Sequence, residues 1–359
     1  MSEPTTIRQD RDPALRIGVL GCANIARQFV RDLTPSNAVR IVAVGSRNAD
    51  TAAAFAAACG IDRHHGSYAA LLADAELDAV YLPLPNSLHA EWAIKALESG
   101  KHVLCEKPLA LGRDEAAAMF DAARHHDVLL LESLPYLFQP QTGDLRALLE
   151  TGAIGAVRSV QASFGFALPN STDNIRWKPE LGGGALLDAG SYPLSLIRLV
   201  MGCAPRTVRA DATWTDTGVD RSLMATLHYA DGRQAQLSCA MDAANHRRAT
   251  IVGSNGTIET EYLNHTSTQA GGHPHGYLPS QLRIRRGTAN SIPFEDIRSP
   301  VGSGFRFAAE AFARMVAARD VAAAERAAQA SLDNAATLQA MARSARLERA
   351  VDVVVQDPY

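Results

Sequence analysis

The feature that most constrains this chain is a rhythm in its first third, where short apolar runs alternate with longer helical stretches. Leu15–Gly21, Val39–Ser46, Ala79–Leu84, Lys101–Cys105 and Val128–Glu132 read as strands. Ile25–Leu33, Ala49–Cys59, Tyr68–Leu72, Ala90–Ser99 and Asp114–His126 read as the helices between and after them. Strands that are apolar throughout need cover on both faces, and an intervening helix supplies it. The pattern therefore predicts a parallel, doubly wound sheet. Glycines stand where helices should stop, at Ser99-Gly100 and Thr151-Gly152.

Beyond Pro135 the rhythm changes. Gln139–Thr151 reads as one amphipathic helix, followed by alternating runs at Val157–Phe166, Pro205–Thr213, Ser222–Tyr229, Gln234–Met241, Ala249–Val252, Thr257–Glu261 and Leu282–Arg286. Turn signals such as Ala230-Asp231-Gly232 and Gly253-Ser254-Asn255-Gly256 separate several of them. His265–Pro279 reads as a loop, and Gly304–Ala318 and Ala324–Arg346 as helices. The class is α/β: a Rossmann domain over residues 1–134, then an α+β domain over 135–359. The second domain is predicted to hold an open-faced, mainly antiparallel sheet, with one face on helices.

Composition narrows the function classes. A chain of 359 residues can bury two cores, and 47% hydrophobic with 20% charged residues excludes a disordered chain. A formal charge of −3 with signs interspersed gives no reason to invoke nucleic acid or an anionic membrane. Cys22, Cys59, Cys105, Cys203 and Cys239 are far apart with no C-x-x-C, so neither a disulfide framework nor a metal site is predicted. Met1–Asp12 is polar, a frayed start rather than a signal peptide, and no run reaches the roughly 18 apolar residues of a membrane span. A soluble, cytoplasmic protein is expected.

The first strand ends in Gly21-Cys22-Ala23-Asn24-Ile25-Ala26, a G-x-G-x-x-G/A pattern with alanine in the second glycine's place. The first glycine permits a tight turn, the second position must be small for backbone N–H groups to approach a pyrophosphate, and the third lets helix pack on strand. In isolation this could be a structural turn. Following a strand and opening a helix in a βαβ series, it predicts that a dinucleotide binds over Leu15–Arg27. The second strand ends in Gly45-Ser46-Arg47-Asn48, where an NAD site would carry an acid for the ribose 2′-hydroxyl. A hydroxyl and a guanidinium suit a 2′-phosphate, favouring NADP over NAD; the alternative is a solvated arginine.

Glu106-Lys107-Pro108 closes the fourth predicted strand at the carboxyl edge, where open α/β sheets place ligands. There Lys107 would be partly desolvated, lose proton affinity and give a proton to a carbonyl receiving hydride; the alternative is a solvated charge. In Gly182–Pro193, three glycines would free the backbone to approach a ligand, and Asp188 and Tyr192, four apart, share a helical face. A phenol beside an ammonium makes a general-acid pair. A helix cap at Asp188 and a core aromatic at Tyr192 are the structural alternatives.

Four segments in this order resemble the Gfo/Idh/MocA oxidoreductase family over most of the chain: Gly21–Ala26, Tyr81-Leu82-Pro83-Leu84-Pro85-Asn86-Ser87-Leu88-His89, Glu106-Lys107-Pro108 and Gly182–Pro193. Tyr-Pro after the D-x-G element is similar to a branch with dihydrodiol dehydrogenases, xylose dehydrogenases and NADP-dependent nucleotide-sugar 3-ketoreductases. The last resemble it most, also at Asn174-Ile175-Arg176-Trp177. The resemblance implies Lys107 as catalytic proton donor, with Tyr192 and Asp188 beside it and the Lys107-Pro108 bond cis. It implies a cofactor site of Gly21, Cys22, Ala23, Asn24, Ile25, Ala26, Arg27, Ser46, Arg47, Tyr68, Leu84, Pro85, Asn86, His89, Glu106, Arg176, Trp177 and Asp188. Substrate contacts would come from Lys107, Tyr192, Met241 and Asn245, although Met241–Asn245 departs from the family's pattern and leaves the sugar open.

The implied function is NADPH-dependent reduction of the 3-keto group of a dTDP-linked 4-keto-deoxysugar. The alternatives are an NADP-dependent free-sugar (xylose-type) or trans-dihydrodiol dehydrogenase, and a non-enzymatic cofactor-binding regulator. The implied partners are a small sugar or nucleotide-sugar and further copies of the chain in a homodimer or homotetramer.

Overall fold

The computed structural model describes residues 14–169, 174–262, 264, 281–300 and 302–355. The first part runs β1 (Leu15–Leu20), α1 (Asn24–Leu33), β2 (Val39–Gly45), α2 (Ala49–Cys59), β3 (Arg63–His65), α3 (Tyr68–Leu72), β4 (Ala79–Leu82), α4 (His89–Glu98), β5 (His102–Glu106), α5 (Arg113–His125) and β6 (Leu130–Ser133). Two of its helices start where a short polar side chain meets a free N–H group: Asn48 accepts from the Thr51 amide at 2.8 Å, and Ser67 from Ala70 at 3.1 Å. The six strands are parallel, in the order β3-β2-β1-β4-β5-β6. The order reverses between β1 and β4, so a crevice opens at their carboxyl ends.

The second part runs α6 (Pro140–Glu150), β7 (Val157–Ala167), α7 (Ser191–Met201), β8 (Thr207–Trp214), β9 (Asp220–His228), β10 (Gln234–Ala240), β11 (Asp242–Gly253), β12 (Gly256–Glu261), β13 (Gln281–Arg286), β14 (Glu295–Ile297), α8 (Gly304–Ala318), α9 (Val321–Leu347) and β15 (Val351–Asp352). Its nine-stranded sheet has the order β14-β13-β12-β11-β7-β10-β9-β8-β15, with β7 and β10 parallel and the other neighbours antiparallel. One face carries α7 and α9; the other alternates into solvent, where Met224 on β9 is 69% exposed. No helix among the described residues is long and apolar enough to cross a membrane.

The last two helices return to the first sheet. Phe305 and Phe312 of α8 are buried with Ile17, Val19 and Phe29, and Phe305 meets the Phe29 ring edge-on at 6.0 Å. Phe29 in turn stacks on Tyr81 of β4. The helix α9 lies against α5 and β6.

Four strands and one helix differ from the sequence reading. β3 is Arg63-His64-His65, and β14 and β15 span three and two residues, so none carries a buried alternation to detect. α7 buries nine of its residues, on every side, so no polar face marks its period. β11 begins at Asp242 rather than Ala249, because its register against β7 shifts between Asp242 and His246, and the irregularity breaks the alternation. The predicted loop His265–Pro279 and the start at Met1–Asp12 lie outside the described residues.

Phe305→Ala should cost about 3–5 kcal/mol by leaving a cavity between α8 and α1. Urea unfolding checks this, and a loss under 1 kcal/mol would mean that α8 is not part of the first core.

Candidate active site

The crevice at β1 and β4 is shaped by close contacts. Gly21 sits at φ +120°, and a Cβ there would come 2.9 Å from Leu84 Cδ2, so the turn requires glycine. Helix α1 begins at Asn24 with no side-chain cap and no acid in its first turn, which leaves its N–H groups for an anion. Ala26 is fully buried, allowing the helix to pack on the sheet, while Cys22 and Ile25 are half-buried and Asn24 exposed.

Across the turn, Ser46 is buried and Arg47 exposed. The Tyr68 hydroxyl stands 3.9 Å from the Cβ position of Gly21. Burial pushes its pKa up and the Arg47 guanidinium opposes the rise. Among the described residues Arg47 makes no ion pair. A glycine cradle, an uncapped helix and an arginine without a counter-ion fit a phosphorylated dinucleotide. Arg27 instead lies 4.7 Å over the Phe55 ring.

At the carboxyl end of β5, Lys107 precedes Pro108 through a cis bond. Its Nζ donates to the Asp188 carbonyl at 2.8 Å and to Asp188 Oδ1 at 3.0 Å, and lies 4.9 Å from the Tyr192 ring centre. An ammonium has three N–H donors, so one is left for a ligand. Asp188 sits in a π-helical turn over Leu186–Gly190 that leads into α7, and Tyr192 lies in the first turn of α7. Arg176, from the short turn Ile175–Trp177, donates its Nε–H to Asp188 Oδ2 at 2.5 Å. Burial disfavours the Asp188 carboxylate, but Lys107 and Arg176 outweigh it and hold its pKa at about 2. The sequence reading of Lys107 is corrected here. Burial does lower its proton affinity, yet Asp188, Tyr192 and Glu106 reverse the effect, and its pKa is raised.

Several candidates are structural walls rather than exposed contacts. His89 is fully buried, with Nδ1 2.8 Å from the Pro108 carbonyl oxygen and Nε2 2.9 Å from that of Leu84. Glu106 is buried and accepts from the Tyr81 hydroxyl at 2.6 Å, and burial raises its pKa. Asn86, next to Pro85 at the start of a short helical turn, donates to the Gly182 carbonyl at 2.8 Å.

The three glycines prove to approach the protein itself. Cβ atoms at Gly183 and Gly184 would lie 2.5 Å from the Arg176 carbonyl oxygen and 2.1 Å from Asp220 Oδ1. Trp177 and Met241 line a groove of about 580 Å³, although Met241 has no solvent exposure; Asn245 is exposed on β11. Ala23 takes the N-cap position of α1 in an extended conformation.

Three site residues escaped the sequence reading. Asp220 accepts from the Leu186 amide at 2.6 Å and so anchors the turn bearing Asp188, while burial raises its pKa to about 6. Asn264 donates to the Tyr192 hydroxyl oxygen at 2.7 Å, which leaves the phenolic proton free to be donated elsewhere. Arg247 on β11 lies 4.2 Å over the Phe164 ring and 5.7 Å from the Tyr192 ring centre. Each contact spans dozens of residues, and no local pattern announces it.

Fold and site define a class: an oxidoreductase built on a dinucleotide-binding sheet with a catalytic half on a second sheet. Residues 15–133 match the oxidoreductase family with an NAD-binding Rossmann fold, and 143–259 the GFO/IDH/MocA C-terminal domain. The chain belongs to the Gfo/Idh/MocA oxidoreductase family. It is 39% identical over 245 residues to D-xylose 1-dehydrogenase (NADP(+)) 2 of Haloferax volcanii, covering 68% of this chain and 75% of the relative. It is 40% identical over 277 residues to dTDP-3,4-didehydro-2,6-dideoxy-alpha-D-glucose 3-reductase of Streptomyces violaceoruber, covering 76% and 78%. A 3-ketoreductase from Actinomadura kijaniata, solved with NADP and TDP-benzene, superposes with a TM-score of 0.81 at 32% identity, over 92% of this chain and 98% of that one.

The depressed Asp188 pKa has a stability consequence. Its contribution is present above the ordinary value of 3.8 and is lost as pH falls through about 2. At 1.36 kcal/mol per unit this is about 2 kcal/mol. Urea unfolding of the protein and of Asp188→Asn across that window should show the extra acid loss only in the former; parallel curves would refute it.

Proposed function

We propose that the protein is an NADPH-dependent sugar reductase that acts on the 3-keto group of a dTDP-linked 4-keto-deoxysugar, with Lys107 as proton donor. One observation carries the reading. The Lys107 ammonium is held by Asp188 with a single N–H uncommitted, over Tyr192 and at the same sheet edge as the glycine cradle. Bound NADPH would supply the hydride to the carbonyl carbon. Lys107 would pass its proton to the carbonyl oxygen, turning C=O into CH–OH, and regain a proton from solvent. Tyr192, whose oxygen accepts from Asn264, would donate its own O–H to the same oxygen and orient it. Asp188 keeps the lysine charged and aimed, and Arg176 holds the other oxygen of that carboxylate. Gly21, Cys22, Ala23 and the first turn of α1 would receive the pyrophosphate, and Ser46 and Arg47 the 2′-phosphate.

A free-sugar or dihydrodiol dehydrogenase is the second reading, favoured by the 39% identity to the xylose enzyme. A regulator without catalysis would have no need of Lys107 and Tyr192 in contact. Turnover of a dTDP-4-keto-sugar with NADPH, against xylose and a dihydrodiol with NADP⁺, separates the enzyme readings.

Lys107→Ala should lower turnover about 10²- to 10⁴-fold while NADPH affinity stays nearly unchanged. Steady-state kinetics with a fluorescence titration of NADPH check this, and near-normal turnover would sink the assignment. Arg47→Gln should reduce the preference for NADPH over NADH about tenfold or more through loss of one charge-assisted contact. An unchanged ratio of kcat/KM values would remove Arg47 from the 2′-phosphate site.

A further inference from the structure

The geometry points to Arg247 as the residue that recognises an anionic group on the substrate, namely the diphosphate of a nucleotide-linked sugar. Arg247 stands opposite Phe164 in the β11–β7 ladder, with its guanidinium 4.2 Å over that ring. It also lies 5.7 Å from the centre of the Tyr192 ring, over which the Lys107 ammonium lies at 4.9 Å. The two cations are therefore no further apart than the sum of those distances, a span that a sugar ring and its phosphate bridge can cover.

The side chain is half-buried, yet among the described residues it meets no carboxylate and makes no hydrogen bond. Its neighbour Arg248 differs, reaching Glu261 Oε1 at 3.3 Å. Even partly withdrawing a guanidinium from water without a counter-charge is unfavourable. Aromatic faces offset only part of that cost, and an incoming anion would offset more. Around Tyr192 and Lys107 the charges are Lys107, Arg176 and Arg247 against Asp188 and the buried Glu106, so cations outnumber acids. A planar fork stacked on a ring keeps its edge free for two phosphate oxygens.

The inference rests on the proposed reading in that the diphosphate is carried by the substrate. It is tested by calorimetric titration of the NADP-loaded protein and of Arg247→Gln and Arg247→Lys with dTDP, inorganic pyrophosphate and thymidine. Arg247→Gln should weaken dTDP and pyrophosphate about tenfold or more, leaving thymidine and NADPH affinity unchanged. Arg247→Lys should retain part of the affinity, because the charge remains without the fork. Thermal unfolding of each variant reports whether the Phe164 contact still folds.

Equal binding of dTDP and pyrophosphate to the unsubstituted protein and to folded Arg247→Gln would overturn the inference, as would no binding to either. Failure of the ketoreductase reading looks different. Xylose would turn over and the dTDP-4-keto-sugar would not, while pyrophosphate binding would still depend on Arg247.

Discussion

The ion pair between Lys107 and Asp188 is the interaction on which the rest of this site depends. It joins the end of β5 in the first sheet to the turn before α7 on the second, across 81 positions of sequence. Neither partner is stable alone in that place, since both are largely withdrawn from water. A buried ion pair needs further hydrogen bonds to offset desolvation, and here the second Asp188 carboxylate oxygen accepts from Arg176 while the Asp188 backbone carbonyl accepts another N–H from Lys107. The arrangement keeps Lys107 charged where burial by itself would favour the neutral amine.

Around that pair lies a set of buried polar ties that hold backbone in place. The imidazole of His89 stands between the carbonyls of Leu84 and Pro108, one beside the glycine cradle and one beside the lysine. A neutral ring can donate to only one of two carbonyls, so its position is set by the chain around it as well as by its own hydrogen bond. Glu132 accepts from the Leu109 amide and from Ser331 of α9, which binds the loop after Lys107 to the last long helix. Asp220 restrains the turn that carries Asp188. Unpairing any of these groups would leave a buried polar atom unsatisfied, so they resist independent movement.

The parallel sheet was legible because its strands are apolar throughout and a helix stop such as Gly100 is visible. The turn at Gly21–Ala26 was legible because Gly21 and Ala26 answer steric demands made by close neighbours. Less could be read where residues are buried on all sides, as in α7, or where a strand is too short or irregular to alternate, as in β3 and the start of β11. The glycines at 182–184 were visible as a sign of close approach, but what approaches is Asn86, the Arg176 carbonyl and Asp220.

By itself the sequence determined the sheet order's raw material, the dinucleotide turn and the chemical types at Lys107, Asp188 and Tyr192, because periodicity and steric need act over a few neighbouring residues. Only the tertiary structure decided the charge state of Lys107, the partner of Tyr192 and the place of Arg247. Those depend on Asp188, Asn264 and Phe164, each brought from a distant part of the chain. Electrostatic and hydrogen-bond energies are set by distance in space, and distance in space is what a linear pattern does not encode.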